Sequence, residues 1–94
     1  MAATPEAKVK AACKAYLKAR NVWFFMPVSN GMGSMGIPDI LCCYQGRFIA
    51  IECKAPGKRN NTSALQDYQI MGIHQAGGIA LVVDDVSMLK GIFE

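Results

Sequence analysis

Apolar and polar residues recur at helical spacing in the first part of the chain. Apolar side chains between residues 9 and 17 fall on one helical face, while Lys10, Lys14 and Lys18 follow one another on a different face. Thr4 followed by Pro5 is a typical helix start. The pattern therefore predicts an amphipathic first helix that ends near residue 20.

Later segments rich in β-branched, aromatic and other apolar residues are predicted to form strands. They cover residues 22–26, 37–44, 47–53 and 79–83. Gln45-Gly46 joins the second and third segments as a two-residue hairpin turn. Ser63 and Gln66 have the capping-box spacing of a second helix, which is predicted to run to about residue 75. Residues 86–93 are predicted as a short terminal helix.

The resulting order, α-β-β-β-α-β, predicts an α/β fold with a mixed central sheet flanked by helices. We expect one domain spanning residues 1–94, because this length excludes a second domain and the large barrels. Composition excludes disorder, since 52% of the residues are hydrophobic and only 18% are charged. Such a high apolar content in a small domain also indicates that a second copy of the chain covers some of these apolar residues.

Charge is unevenly distributed along the chain, although the net charge is only +3. Residues 1–20 carry +4, residues 21–60 carry +2, and residues 61–94 carry −3. A basic first half is suited to a polyanion, with nucleic acid as the leading candidate. The alternative is that the lysines form a solvated helix face.

The cysteines, at positions 13, 42, 43 and 53, include no CxxC pair, and His74 is the single histidine. We therefore predict reduced thiols in the core and no closed zinc site. Reduced thiols and an N-terminus interrupted by lysines predict a cytoplasmic, intracellular protein, inside a host cell if it is viral. The uncharged stretch 21–38 contains Pro27 and several glycines, so we expect no membrane helix.

The stretch 29–36 is predicted to be a flexible loop and contains the pattern GxGxxG at Gly31, Gly33 and Gly36. A dinucleotide site of this type needs a helix to begin at the loop. Ile37 and Pro38 begin extended chain instead. We therefore expect no nucleotide cofactor. A loop that contacts substrate or partner is the preferred interpretation, and an inert connector is the alternative.

The two-residue turn predicts the register of the hairpin, and with it the position of two carboxylates. Pairing outward from the turn places Ile40 opposite Ile51 and then Asp39 opposite Glu52. Directly opposite residues share a face, with Cβ atoms ~4.5–5.5 Å apart. Two carboxylates beside apolar runs repel each other unless a cation lies between them, and Mg²⁺ accepts such ligands. A bulge or a one-residue slip would separate them.

Lys54 lies two residues beyond Glu52, so strand periodicity returns its side chain to the same face. A lysine beside a metal-bound water can orient that water, help its deprotonation or stabilise developing negative charge. Two acids, one lysine and a metal form a hydrolytic set. The alternative is a Lys54–Glu52 surface ion pair, with Asp39 merely ending a turn.

These residues resemble a known nuclease motif, PD-(D/E)xK. The matching residues are Gly36-Ile37-Pro38-Asp39 followed by Glu52-Cys53-Lys54. Ser63, Gln66 and the entry into the last strand at Gly77-Gly78-Ile79 are similar to the virus-type replication-repair nuclease (VRR-NUC) branch, in its small stand-alone phage or viral type. The resemblance extends from the first helix to the last strand.

The resemblance implies a restriction-endonuclease-like core and phosphodiester hydrolysis that depends on Mg²⁺ or Mn²⁺. By match, Asp39 and Glu52 would be metal ligands, and the backbone carbonyl of Cys53 would add a contact. Lys54 would handle the attacking water. Cys53 in the middle position of ExK is an ordinary departure from the motif, since its side chain should face away from the metal.

Two further residues have competing interpretations. Glu6 would be a metal ligand from the first helix; the alternatives are complementation of the helix dipole and an i,i+4 pair with Lys10. Gln66 would be a catalytic-site residue; the alternative is the capping box with Ser63, and both roles are compatible in part.

The expected substrate is DNA, recognised by shape and backbone charge. Candidate phosphate contacts are Lys10, Lys14, Lys18, Lys58 and Arg59, with solubility as the alternative role. A homodimer would place two active sites around a two-fold axis, which suits branched DNA such as a Holliday junction and a role in DNA repair. The competing function is a non-catalytic DNA-binding or assembly module of the same fold.

Overall fold

A computed structural model describes residues 3–28 and 35–94 of the chain. Within these residues the elements are α1 (Pro5–Ala19), β1 (Trp23–Phe25), β2 (Ile40–Tyr44), β3 (Arg47–Cys53), α2 (Ala64–Gln75), β4 (Ile79–Val83) and a 3₁₀-helix (Val86–Leu89). The predicted order α-β-β-β-α-β is confirmed. The loop predicted over residues 29–36 lies mostly outside the described residues, and Gly31 and Gly33 of the GxGxxG pattern lie there too.

The four strands form one mixed sheet in the order β1-β2-β3-β4, with β3 and β4 parallel and the other pairs antiparallel. Gln45 and Gly46 both have positive φ, 51° and 78°, as a tight hairpin turn requires. The register runs from Tyr44 opposite Arg47 to Ile40 opposite Ile51. The predicted hairpin register is therefore confirmed.

Strand β2 begins at Ile40, three residues later than the sequence pattern predicts. Pro38 has no amide to donate to a ladder. Asp39 then accepts the amide of Cys53 through its side chain, at 2.8 Å, in place of a main-chain partner. The ladder therefore ends where the two predicted site residues Asp39 and Glu52 would form its next pair.

Helix α1 covers one face of the sheet. Thr4 caps it by accepting the amide of Ala7 at 3.1 Å, and Pro5 occupies the first turn. Its apolar face packs into the core together with β2, β3, β4 and the C-terminal segment. The buried members are Val9, Cys13, Leu17, Val22, Ile40, Cys42, Ile49, Ile51, Cys53, Val83, Leu89 and Phe93. Three of the four cysteines are thus small core residues, and Cys43 is exposed.

Helix α2 lies over β4 on the other face and buries none of its residues. Large apolar side chains remain exposed on this side. They are Trp23, Phe25, Phe48, Leu65, Tyr68 and Met71, here called the apolar surface. Trp23 of β1 and Phe48 of β3 lie on the same face because both are directly opposite Cys43 of β2. Within residues 3–28 and 35–94, no helix has the length and apolar character needed to cross a membrane.

Candidate active site

Glu52 is the residue around which the candidate site is organised. It lies near the end of β3 and is only 3% exposed. Its Oε2 accepts a hydrogen bond from Gln66 Nε2 at 3.0 Å and lies 3.6 Å from Lys54 Nζ. Burial, and then the negative charge of Asp39, raise the pKa of Glu52 to about 7 although Lys54 opposes the shift. The site thus holds a carboxyl group that is poorly stabilised as an anion.

Lys54 follows β3 directly and has 9% of its surface exposed. Its amide donates to the carbonyl of Val83 at 2.9 Å, which continues the alignment of β3 with β4. Its Nζ donates to Gln66 Oε1 at 3.0 Å. The Lys54–Glu52 pair expected under the alternative interpretation is present, but it is buried and therefore differs from a surface ion pair.

Gln66 joins the two interpretations that the sequence left open. Its side-chain Oε1 accepts a hydrogen bond from the backbone amide of Ser63 at 2.9 Å, and its backbone amide donates to Ser63 Oγ at 3.1 Å. The same side chain also contacts Lys54 through Oε1 and Glu52 through Nε2. The capping box therefore holds the side-chain amide of Gln66 in the orientation that links Glu52 to Lys54.

Asp39 stands at the neighbouring strand end, one step beyond the β2–β3 ladder. Oδ2 accepts the amide of Cys53 at 2.8 Å, and Oδ1 lies 3.5 Å from Lys10 Nζ of α1. Its charge is the second largest cause of the raised pKa of Glu52. The two carboxylates are therefore close enough to interact electrostatically, as the register predicts.

The side chain of Cys53 points away from this cluster. Its thiol is fully buried in the core and forms a hydrogen bond with the thiol of Cys13 on α1. That hydrogen bond and burial raise the pKa of the Cys53 thiol. The expectation that this side chain faces away from the acids is confirmed.

Gly36 makes a close backbone contact with α2 that its place in the sequence motif does not reveal. A Cβ atom there would lie 2.4 Å from the carbonyl carbon and oxygen of Leu65 and 2.7 Å from the amide of Gln66. Gln69 Nε2 also donates to the carbonyl of Met35 at 3.2 Å. The segment leading to Asp39 is thus pressed against the first turn of α2. The next element after Gly36 is strand β2 at Ile40, and no helix begins between them, whereas a dinucleotide site would require one.

Sequence comparison with family models and with curated proteins gives no match. Comparison of the structure does: a solved structure described as "VRR_NUC domain" superposes with a TM-score of 0.72. The match covers 96% of this chain and 95% of that chain at 24% sequence identity. This chain has the VRR_NUC fold. The resemblance seen in the motif residues is therefore confirmed at the level of the fold.

On this VRR_NUC fold, the predicted phosphate contacts fall into two groups. Lys14, Lys18 and Lys58 are exposed. Arg59 Nε lies 3.8 Å from Asp84 Oδ1, and Lys10 is held by Asp39. The exposed lysines are available to a phosphate backbone, whereas Lys10 and Arg59 must first break their ion pairs with Asp39 and Asp84. Their contact with DNA stays a prediction.

Glu6 lies in the first turn of α1 and is exposed. Its negative charge contributes to the raised pKa of Glu52, after burial and Asp39. Among residues 3–28 and 35–94, no three His, Cys, Asp or Glu side chains are grouped closely enough to hold a metal ion together. The role of Glu6 as a metal ligand accordingly stays a prediction.

Proposed function

We propose that this chain is a single nuclease domain, a metal-dependent endodeoxyribonuclease of the PD-(D/E)xK type. One observation carries the proposal: a buried glutamate shares one carboxylate oxygen with a buried lysine and a glutamine, beside a second acid at the neighbouring strand end. A structural ion pair does not need a second acid that opposes ionisation of the first. The VRR_NUC fold supports the same conclusion.

The donor set fits a hard divalent cation, Mg²⁺ or Mn²⁺. Gln66 and Lys54 both contact Oε2 of Glu52, which leaves Oε1 for a ligand. In Asp39, the amide of Cys53 occupies Oδ2, and Oδ1 faces the displaceable ammonium of Lys10. One or two protein carboxylates are sufficient for Mg²⁺, which keeps several waters. We assign Asp39, Glu52 and the carbonyl of Cys53 as ligands, with Glu6 as a further candidate. When bound, the ion supplies Lewis acidity and lowers the pKa of its water.

Lys54 is the residue that we assign to the attacking water. Its ammonium is held by Gln66 Oε1 and Glu52 Oε2, so it cannot swing freely into solvent. A fixed ammonium orients a water or stabilises the charge that develops on a phosphate oxygen. Gln66 holds Lys54 and Glu52 at a constant distance from each other, which is the contribution we assign to it.

DNA is the proposed substrate, and branched DNA such as a Holliday junction is the favoured form. The exposed Lys14, Lys18 and Lys58 would contact phosphates, and such contacts read shape and charge but not sequence. Recognition of this kind suits a repair nuclease, for example one encoded by a phage.

A homodimer is the proposed assembly. The apolar surface carries large side chains such as Tyr68, 71% exposed, and Trp23, 66% exposed. Exposed aromatic and large apolar side chains are more typical of a protein interface than of a phosphate-binding surface. Two copies related by a two-fold axis would present two sites to a branched substrate.

Cleavage of labelled DNA tests the nuclease proposal directly. The protein is incubated with Mg²⁺ or Mn²⁺ at low salt and given four-way junction, flap and linear duplex substrates. We expect metal-dependent cleavage, fastest on the junction, and a loss of about a thousandfold or more in Glu52→Gln and Lys54→Ala. Glu94→Gln is the matched control, since Glu94 is exposed and pairs with Arg20 away from the site.

The outcomes separate the parts of the proposal. Failure to cleave any substrate with either metal would refute the enzyme and favour the non-catalytic DNA-binding or assembly module. Cleavage that survives Glu52→Gln would refute the assignment of the site. Equal rates on junction and linear DNA would refute the branched-DNA preference alone.

A further inference from the structure

Lys10 makes a contact that a simple DNA-binding role does not explain. Its Nζ lies 3.5 Å from Oδ1 of Asp39, with 36% of the lysine side chain and 21% of the aspartate side chain exposed. Helix α1 carries three more lysines, at positions 8, 14 and 18. Among the described residues, Lys10 is the member of this set that forms an ion pair. Its charge is therefore directed into the site, unlike that of the others.

The contact occupies the oxygen that a metal would use. Oδ2 of Asp39 accepts the amide of Cys53 at 2.8 Å, which holds the carboxylate in one orientation. Oδ1 is the remaining ligand atom, and it faces the ammonium of Lys10. An ammonium ion and a divalent cation repel each other at such short range, and a partly buried position weakens the screening by water. The two cations therefore compete for Oδ1.

We propose that Lys10 is a built-in counter-ion that neutralises Asp39 in the metal-free protein and is displaced when a divalent cation binds there. This inference rests on the proposed function, because it assumes that Asp39 is a metal ligand. Lys10 thereby lowers the affinity for metal while it keeps the carboxylate paired. Its long, partly exposed side chain allows the ammonium to leave without movement of α1.

Mn²⁺ binding measured by calorimetry without DNA tests the proposal. Lys10→Met removes the charge and keeps an unbranched, helix-compatible side chain. Lys14→Met is the matched control, because Lys14 is exposed one turn further along α1 and removes the same charge from the protein. We expect Lys10→Met to lower the Kd for Mn²⁺ about five- to tenfold and Lys14→Met to change it less than about twofold.

Thermal unfolding supplies a second readout that a purely structural ion pair would not produce. In EDTA, Lys10→Met should melt below Lys14→Met, because Asp39 loses its counter-ion. In saturating Mn²⁺ that difference should vanish or reverse, since the metal takes over the same charge. An equal deficit with and without Mn²⁺ would overturn the proposal.

Further outcomes separate this inference from the proposed function. If the wild type cleaves DNA and loses Mn²⁺ binding in Asp39→Asn, but Lys10→Met binds Mn²⁺ like Lys14→Met, the Lys10 inference alone is wrong. If Lys10→Met tightens Mn²⁺ binding equally in an Asp39→Asn background, its effect does not act through Asp39 and the inference is again wrong. If neither wild type nor Lys10→Met binds Mn²⁺, the Lys10 inference is wrong, and the proposed function is wrong with it if the wild type also cleaves no DNA with either metal.

Discussion

The two faces of the sheet differ in how completely they are covered. On the α1 face, Leu17, Cys13 and Phe93 are essentially inaccessible to solvent and pack against the inner side chains of β2 and β3. On the α2 face, the helix buries none of its residues, and aromatic side chains such as Trp23 and Tyr68 remain exposed. The first face is a closed hydrophobic core, whereas the second is only partly covered and combines the buried Glu52 and Lys54 with exposed apolar side chains.

The hydrophobic core and the candidate site lie on opposite faces of the sheet. Cys53 points into the α1 face, and its two neighbours in sequence, Glu52 and Lys54, contact Gln66 of α2 on the other side. Strand alternation thus separates core from site at adjacent residues. Buried polar groups are costly unless they are hydrogen-bonded, and here Gln66 satisfies both Glu52 and Lys54.

Truncating one leucine on each face tests how differently the two faces are packed, and we expect these variants to show the largest change in stability. Leu17→Ala should lower the free energy of unfolding by about 3–4 kcal/mol, because Leu17 is fully buried and leaves a cavity. Leu65→Ala should cost less than about 1 kcal/mol in dilute monomer, because Leu65 is 54% exposed. Urea unfolding measures both. Equal costs would show that the α2 face is as tightly packed as the α1 face.

The pH dependence of stability tests whether the site on the α2 face opposes folding. The pKa of Glu52 is about 7 in the folded protein, against an ordinary value of 4.5. Between these values the folded state binds more protons than the unfolded state, so stability is highest below the lower value and falls as pH rises through the upper one. The total loss should be about 3 kcal/mol.

Urea unfolding in EDTA across that pH range measures the effect. Glu52→Gln cannot ionise at this position, so its stability should be flatter between pH 4.5 and about 7 than that of the wild type. A wild-type profile that matches Glu52→Gln would contradict the pKa shift and, with it, the idea that burial destabilises this carboxylate.

A charge placed on the apolar surface should weaken self-association, and this is the smallest of the changes that we predict. Tyr68→Glu introduces a charge there and should weaken self-association about tenfold or more, because a buried, unpaired charge opposes an interface. Ala15→Glu on the exposed side of α1 is the control and should leave association unchanged. Sedimentation should give twice the chain mass of 10.2 kDa for the wild type and the control. A monomeric wild type at tens of micromolar would contradict the proposed homodimer.

Most of the fold could be predicted because its signals are local. The caps at Thr4 and Ser63 act within a few residues, and the Gln45-Gly46 turn determines the whole register of the hairpin. That register in turn predicted the neighbouring positions of Asp39 and Glu52. The predicted length of β2 was wrong at its start, because the side chain of Asp39 replaces a main-chain acceptor.

Other parts of the site could not be predicted, because they depend on how the elements pack. The sequence shows a glycine at position 36, but only the tertiary structure shows that the first turn of α2 leaves no room for a Cβ atom there. Gln66 had two possible roles in the sequence, and its contacts show that one side chain serves the cap and also links Lys54 to Glu52.

The order of the elements, the hairpin register and the positions of the acids and the lysine are predictable from the sequence, since each follows from spacing within one or two adjacent elements. Three features are visible only in the folded protein: Glu52 is buried, Lys10 of α1 contacts Asp39, and the α2 face is only partly covered. These features arise from the placement of helices across the sheet, where burial and charge depend on residues far apart in the chain.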